Sequence, residues 1–264
     1  MLEVQPTLSE VQAIARQAGK ILLSRFGQTH QVHYKSAIDP VTEADKLSEA
    51  SILEAIRTRF PDHRIVSEET GTNHKTSPYR WIVDPLDGTV NFAHGIPIFS
   101  VSIAFTIEDE ITLAAVFDPS RDEMFSAEKG RGAFLNGQPI EVAGAETLIQ
   151  SLLVTGFPYD MATTKQDNLK NYGNLARQSQ GVRRLGSAAL DCCYVASGRF
   201  DGYWELFVQP WDVAAGILIV KEAGGVITQV DGSVPDLNGH TSILCSNSYL
   251  YQHLFKVLNG GNSL

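Results

Sequence analysis

The sequence predicts a mixed α/β protein in which an α+β half precedes a half of alternating strands and helices. Three observations carry that expectation. Two amphipathic helical periods open the chain, and short β-prone runs joined by tight turns follow from Ile65 to Leu135. Beyond about Thr147, strand-like and helix-like segments alternate. A soft boundary near residue 145 gives two halves, 1–145 and 146–264. No flexible linker separates them, so they are expected to share a broad interface.

The first helix begins at the capping-box pair Thr7 and Glu10. Leu8, Val11, Ala15, Ala18, Leu22 and Phe26 then recur at helical spacing before Gly27. A second helix runs from about Glu43 to Phe60 and is stopped by Pro61, and the polar stretch His33 to Pro40 between them reads as a mobile loop or a short hairpin. Strands follow at Arg80–Val83, Phe99–Phe105, Thr112–Phe117, Met124–Ala127 and Ala133–Leu135, an antiparallel meander, with Asn136-Gly137 as a hairpin-type turn. In the second half Leu152–Val154 is a strand and Lys165–Gln178 a polar helix. Ser187–Ala196 and Asp212–Ala223 are apolar helices ended by glycines. Val226-Ile227 and Ser242–Leu244 close the sheet before a terminal helix, Leu250–Leu258.

Composition narrows the function. The 264 residues are 43% hydrophobic and 19% charged, enough to bury a sizeable core. Twenty-one basic residues against 30 acidic ones leave a net charge of −9, which disfavours a nucleic-acid or anionic-membrane partner, since repulsion would replace steering. An acidic protein that handles an anion must reverse its field locally, and a bound metal is the usual device. No apolar run reaches the ~18 residues of a membrane-spanning helix, and Met1–Pro6 has neither the basic nor the apolar region of a signal peptide. Cys192, Cys193 and Cys245 give no disulfide framework, and no Cys–His zinc spacing occurs. The expectation is a cytoplasmic globular protein.

Chemistry concentrates in carboxylates. Trp81-Ile82-Val83 delivers Asp84 at a strand's carboxyl end, where ligands of α/β structures collect. Pro85 is expected to end the ladder and turn the chain, bringing Asp87 towards Asp84. Gly88 permits close backbone approach, and Thr89 can cap the turn that follows. Two aspartates this close, with no cation between them, call for a hard divalent ion such as magnesium or calcium. Each motif also has a plain reading. Asp-Pro-x-Asp-Gly is a common turn, Glu68 and Glu69 end the strand Ile65–Ser67, and Asp212 after Trp211 is a favoured helix cap. Three acidic ends do not by themselves prove convergence.

Taken together and in order, these segments resemble the inositol monophosphatase family, magnesium-dependent phosphomonoesterases related to fructose-1,6-bisphosphatase. Asp84-Pro85-Leu86-Asp87-Gly88-Thr89-Val90-Asn91-Phe92 matches the first signature and Trp211-Asp212-Val213-Ala214-Ala215-Gly216 the second. Ser67-Glu68-Glu69 and Asp39-Pro40-Val41-Thr42-Glu43-Ala44-Asp45 match two further elements. The resemblance implies the layered αβαβα sandwich of that sugar-phosphatase fold. It also implies two or three Mg2+ ions held by Glu68, Asp84, the Leu86 carbonyl, Asp87 and Asp212. Glu68 would orient an attacking water, and Thr89 with Asp45 would accept its proton. Backbone N–H groups of Gly88 and Thr89 would hold phosphate alongside Asp87, and Gly186, Ser187, Ala188 and Glu205 would meet the alcohol. Lithium sensitivity and a homodimer are implied as well.

The resulting expectation is hydrolysis of a small phosphorylated polyol or sugar, with inositol-1-phosphate as the best guess. Fructose-1,6-bisphosphate, histidinol phosphate and 3′-phosphoadenosine 5′-phosphate are the rival esters. A non-catalytic metal- or partner-binding module would be expected to have lost a ligand or Thr89, and none is lost. Lys35 either helps order its loop and a third metal or is a surface lysine, and Glu69 is equally open. Arg183 and Arg184 either meet substrate or serve a subunit contact, with the balance towards the contact. Cys192 and Cys193 read as packing residues, and Gly130-Arg131-Gly132 as a hairpin rather than a phosphate cradle.

Overall fold

The computed structural model describes residues 4–28, 32–36, 39–158 and 161–260. Helix α1 (Leu8–Arg25) starts at the expected capping box, with Thr7 Oγ1 accepting the Glu10 N–H and Glu10 accepting the Thr7 N–H. The polar stretch after it takes the hairpin alternative, β1 (Val32–Ser36) pairing antiparallel with β2 (Asp39–Thr42). Helix α2 (Glu43–Arg59) follows, its first turn acidic and its last turn basic, as the helix dipole favours.

A first sheet is then assembled from β3 (Arg64–Ser67), β4 (Gly71–Thr72) and β5 (Tyr79–Asp87). After the short helix α3 (Thr89–Ala93) it adds β6 (Ser100–Ile107), β7 (Glu110–Asp118), β8 (Glu123–Glu128), β9 (Ala133–Leu135) and β10 (Gln138–Ile140). Its eight strands lie in the order β10-β9-β8-β7-β6-β5-β3-β4. The expected meander is interrupted once, because β3 and β5 run parallel. Asn136 and Gly137 both hold positive φ, 49° and 78°, which is what a tight two-residue turn between β9 and β10 demands.

The structure corrects the reading of Pro85. Strand β5 does not stop there but continues to Asp87. Asp84 pairs with Ser102 and Asp87 with Ser100, so three steps along β5 match two along β6. The surplus residue is a bulge, which tolerates a proline that has no N–H to give the ladder. Ser48 of α2 donates to the Pro85 carbonyl at 2.7 Å and satisfies an acceptor there.

The second sheet has five strands in the order β12-β11-β13-β15-β14. In chain order its elements are β11 (Leu152–Thr155), α4 (Leu169–Ala176), β12 (Gly181–Arg183), α5 (Ala188–Ala196), β13 (Gly202–Val208), α6 (Pro210–Glu222), β14 (Val226–Thr228), β15 (Thr241–Ser246) and α7 (Ser248–Leu258). Helix α4 is shorter than the sequence predicts. Asn168 precedes it in the left-handed region, φ 66°, and spends its amide on Thr155 and Gly156 instead of on helix. Helix α6 begins two residues before Asp212, with Pro210 in the first turn where its missing N–H costs nothing. Strand β13 was not predicted at all, because Glu205 interrupts its apolar run.

Strand alternation builds the layers. In β5, Trp81 and Val83 face a core shared with α1 and α2, while Ile82 faces the opposite core with α5 and α6. In β13, Tyr203 joins that same central core, and Trp204 packs outward with residues of α7. The sequence of layers is therefore α1/α2, the eight-stranded sheet, α5/α6, the five-stranded sheet, α4/α7. Helices α5 and α6 lie between two sheets, and this is why they are apolar on nearly every side. Cys192, Cys193 and Cys245 are unpaired thiols buried in this core. No helix among the described residues is long and apolar enough to cross a membrane.

Candidate active site

The parallel pairing of β3 with β5 brings their carboxyl ends out together: Ser67 is opposite Val83, and the Glu68 N–H donates to the Val83 carbonyl at 3.2 Å. Glu68 and Asp84 thus emerge side by side, and their carboxyl groups are in hydrogen-bond contact. Asp84 Oδ1 also accepts the Leu86 N–H at 3.0 Å, fixing the bulge.

Asp87 emerges on the other side of that bulge and is gripped by α5. It accepts the Ser187 hydroxyl, the Ala189 N–H at 3.0 Å and the Ala188 N–H at 3.3 Å, with Ser100 adding a fourth donor at 3.3 Å. The expected alcohol-side residues Ser187 and Ala188 therefore hold Asp87 in position. Ser187 is also the α5 cap.

Two expectations about caps are corrected here. Asp212 is not the N-cap of α6 but the third residue of its first turn, accepting the N–H of the N-cap Gln209 at 2.7 Å. Thr89 does not cap α3: that position is Gly88, at φ 89°. The Thr89 hydroxyl lies 2.9 Å from the Leu86 carbonyl oxygen and 3.2 Å from Oδ1 of the fully buried Asp45. A β-carbon on Gly88 would sit 2.8 Å from the Ile98 carbonyl and 3.3 Å from that of Gly186. Only glycine fits between these two backbones. Asn91 ties the same seam from below, donating to the Ile98 and Leu185 carbonyls at 2.9 and 2.8 Å.

The electrostatics are those of crowded acids. Burial drives Asp84 well above the ordinary aspartate range, and the charges of Glu68, Asp87 and Asp212 push it further. Asp212 rises for the same reasons, burial first, then Glu68 and Asp87. Asp87 is pushed up to about 6 by burial, held back by its bonds from Ser187, Ala189 and Ala188. Such a set calls for positive charge.

The donors fit a hard divalent cation, being all oxygen and with the aspartates buried. Among the described residues no three His, Cys, Asp or Glu side chains form a ready metal cage. Any such ion would lie among Glu68, Asp84, the Leu86 carbonyl, Asp87 and Asp212.

Glu205, on β13, reaches the central core beside Tyr203, whose hydroxyl donates to it at 2.7 Å. Burial raises it to about 7, while Tyr203 and the charge of Arg184 hold it lower. Arg184 thus acts electrostatically on Glu205, whereas Arg183 folds back towards Gly181. The Lys35 side chain lies outside the described residues. Gly130-Arg131-Gly132 joins the antiparallel β8 and β9 as the expected hairpin, and its Gly130 and Gly132 N–H groups donate to Glu222, both at 2.8 Å.

Sequence reasoning missed Asp191. It is buried in α5, its Oδ1 has no hydrogen-bond partner, and burial with the charges of Glu205 and Asp87 raises its pKa well above the usual range. The signal was there to read: one acid within the otherwise apolar Ala188–Ala196. Ser100, Ser48 and Tyr203 carried no such signal.

A family model described as the inositol monophosphatase family matches residues 3–260. The chain is 47% identical over 243 residues to an inositol-1-monophosphatase of Synechocystis, covering 91% of this chain and 84% of that one. It is 41% identical to a protein of Pseudomonas aeruginosa named Nus factor SuhB, covering 97% and 96%. The solved structure of inositol monophosphatase from Anabaena superposes with a TM-score of 0.87 at 40% identity, covering 97% and 96%.

Proposed function

The chain belongs to the inositol monophosphatase family of metal-dependent phosphatases, and from that premise we propose that it hydrolyses a small polyol monophosphate, inositol-1-phosphate first among them, with magnesium. The observation that carries this reading is the convergence of Glu68, Asp84, Asp87 and Asp212, from the end of β3, from β5 and from α6, into one cluster of acids next to the Thr89–Asp45 contact.

Glu68, Asp84, the Leu86 carbonyl, Asp87 and Asp212 would hold the metal. When bound there, magnesium would supply a water of lowered pKa and neutralise the charge that builds on phosphate and leaving oxygen. Glu68 orients the attacking water, and the Thr89–Asp45 pair takes its proton at Thr89 Oγ1. The Gly88 and Thr89 N–H groups hold phosphate oxygens. Glu205 accepts hydrogen bonds from the hydroxyls beside the ester carbon. Phosphoryl transfer requires positioning and charge neutralisation more than covalent help, so no cysteine or histidine nucleophile is needed. A homodimer remains part of this reading, checked by light scattering.

Phosphate release from a panel of esters, with magnesium and with chelator, tests the proposal. Inositol-1-phosphate should lead fructose-1,6-bisphosphate, histidinol phosphate and 3′-phosphoadenosine 5′-phosphate, and chelator should abolish release from all. Lithium should inhibit at subsaturating magnesium. Release that survives chelation would overturn the metal reading, and a clear lead for another ester would overturn the substrate.

A further inference from the structure

Strands β11 and β13 run parallel, with Thr155 opposite Trp204. One residue further on, Gly156 and Glu205 lie against each other. A β-carbon built on Gly156 would come within 2.1 Å of Glu205 Cδ and of both its carboxylate oxygens. The carboxylate occupies the space that any other residue's side chain would fill. On its far side the Tyr203 hydroxyl donates to Oε2 at 2.7 Å.

The Gly156 backbone is itself held firmly. Its carbonyl accepts the Asn168 amide at 2.7 Å, and the same amide reaches Thr155 Oγ1 at 2.9 Å. Asn168 Oδ1 accepts the Trp204 indole N–H at 2.8 Å, and the Thr155 hydroxyl donates to the Trp204 carbonyl at 2.6 Å. This buried network fixes the spacing between the two strands, so the backbone cannot retreat from an added methyl group. The carboxylate is the end of a side chain with rotatable bonds and can.

We propose that Gly156 is a specificity-determining residue: its missing side chain is the seat of the Glu205 carboxylate, and it thereby sets preference for alcohols with hydroxyls beside the ester carbon. The inference rests on the assignment of Glu205 to those hydroxyls. Gly156→Ala should swing the carboxylate off its seat and off Tyr203 while leaving Glu68, Asp84, Asp87 and Asp212 where they are. The role is one of positioning, exerted through Glu205.

The experiment measures kcat/KM on inositol-1-phosphate and on p-nitrophenyl phosphate, which has no neighbouring hydroxyls, for the wild type, Gly156→Ala, Glu205→Gln and the double variant. For Gly156→Ala, the loss on inositol-1-phosphate should exceed the loss on the aryl ester by about tenfold, the scale of a lost charge-assisted hydrogen bond. The double variant should lose no more selectivity than the larger single loss, because both changes remove one interaction. Equal losses on both esters from Gly156→Ala, or fully additive effects, would overturn the proposal. If Glu205→Gln loses selectivity and Gly156→Ala keeps it, Gly156 is overturned and the Glu205 assignment stands. If Glu205→Gln keeps selectivity, the assignment itself falls. Should Gly156→Ala not fold, Gly156→Ala/Glu205→Ala removes the clashing carboxylate. Recovery of a cooperative melt supports the seat, and failure to recover overturns it.

Discussion

At Asp87 the carboxylate already accepts four hydrogen bonds, three of them from the start of α5. Asp87→Asn keeps the volume but exchanges one acceptor oxygen for a donor. Phosphate release should fall to background, and stability should drop by about 1–3 kcal/mol, the cost of stranding buried donors. Circular dichroism and release measured on one preparation check both, and near-native turnover would remove Asp87 from the metal set. Asp191 behaves differently. Its folded carboxyl binds a proton more tightly than the unfolded one, so above the ordinary value of 3.8 the folded protein holds the extra proton and stability falls as pH rises. Asp191→Asn should therefore melt higher than wild type, by a margin that widens from pH 5 to pH 8 with magnesium present. A margin independent of pH would mean that the folded carboxyl is charged.

Among the elements, those whose signals are local were legible in the sequence. The Thr7–Glu10 box and the Asn136-Gly137 turn specify their own geometry through side-chain bonds and positive φ. Pro85 misled because a bulge lets a strand absorb a proline, and the pairing partner that shows this, β6, lies beyond Gly88. Helix α4 was overestimated because Asn168 is committed to a tertiary network that no window of sequence contains. The joint between β5 and α3 supplies an element-scale prediction. In Gly88→Ala, the new methyl meets two carbonyl oxygens of backbone that cannot rotate away, and φ 89° adds its own strain. The variant should lose about 1–3 kcal/mol in denaturant unfolding and most of its activity. A substitution tolerated within about 0.5 kcal/mol would show that the seam between Ile98 and Gly186 is looser than described.

Across the whole molecule, the acids come together from the end of β3, from β5 and from α6, with the start of α5 gripping Asp87. No spacing rule predicts that meeting. Individual motifs could be read as turns and caps, and only their order along the chain, matched as a family resemblance, pointed to a common centre. The layer order explains it physically: α5 and α6 are pressed between two sheets, and their N-termini open beside the carboxyl ends of β3 and β5. The assembled acids raise one another's affinity for protons. Without metal, stability should therefore fall as pH rises above the ordinary carboxylate range, because the folded state must give up protons that the unfolded state has already lost. The melting temperature gained on adding magnesium to chelator-treated protein should be larger at pH 8.5 than at pH 5.5. A gain that shrinks with pH would place the ions elsewhere.

The mutual repulsion of Asp84, Asp87 and Asp212 also bears on how this protein could be improved or spoiled by selection. In a screen for heat resistance run in chelating buffer, the readiest winners would be amides at Asp84 and Asp212, since each removes a buried charge and creates no cavity. Such a screen would enrich inert proteins and discard working ones. The same library screened in magnesium would rank those clones the other way, so the ion in the buffer decides which sequences count as fit.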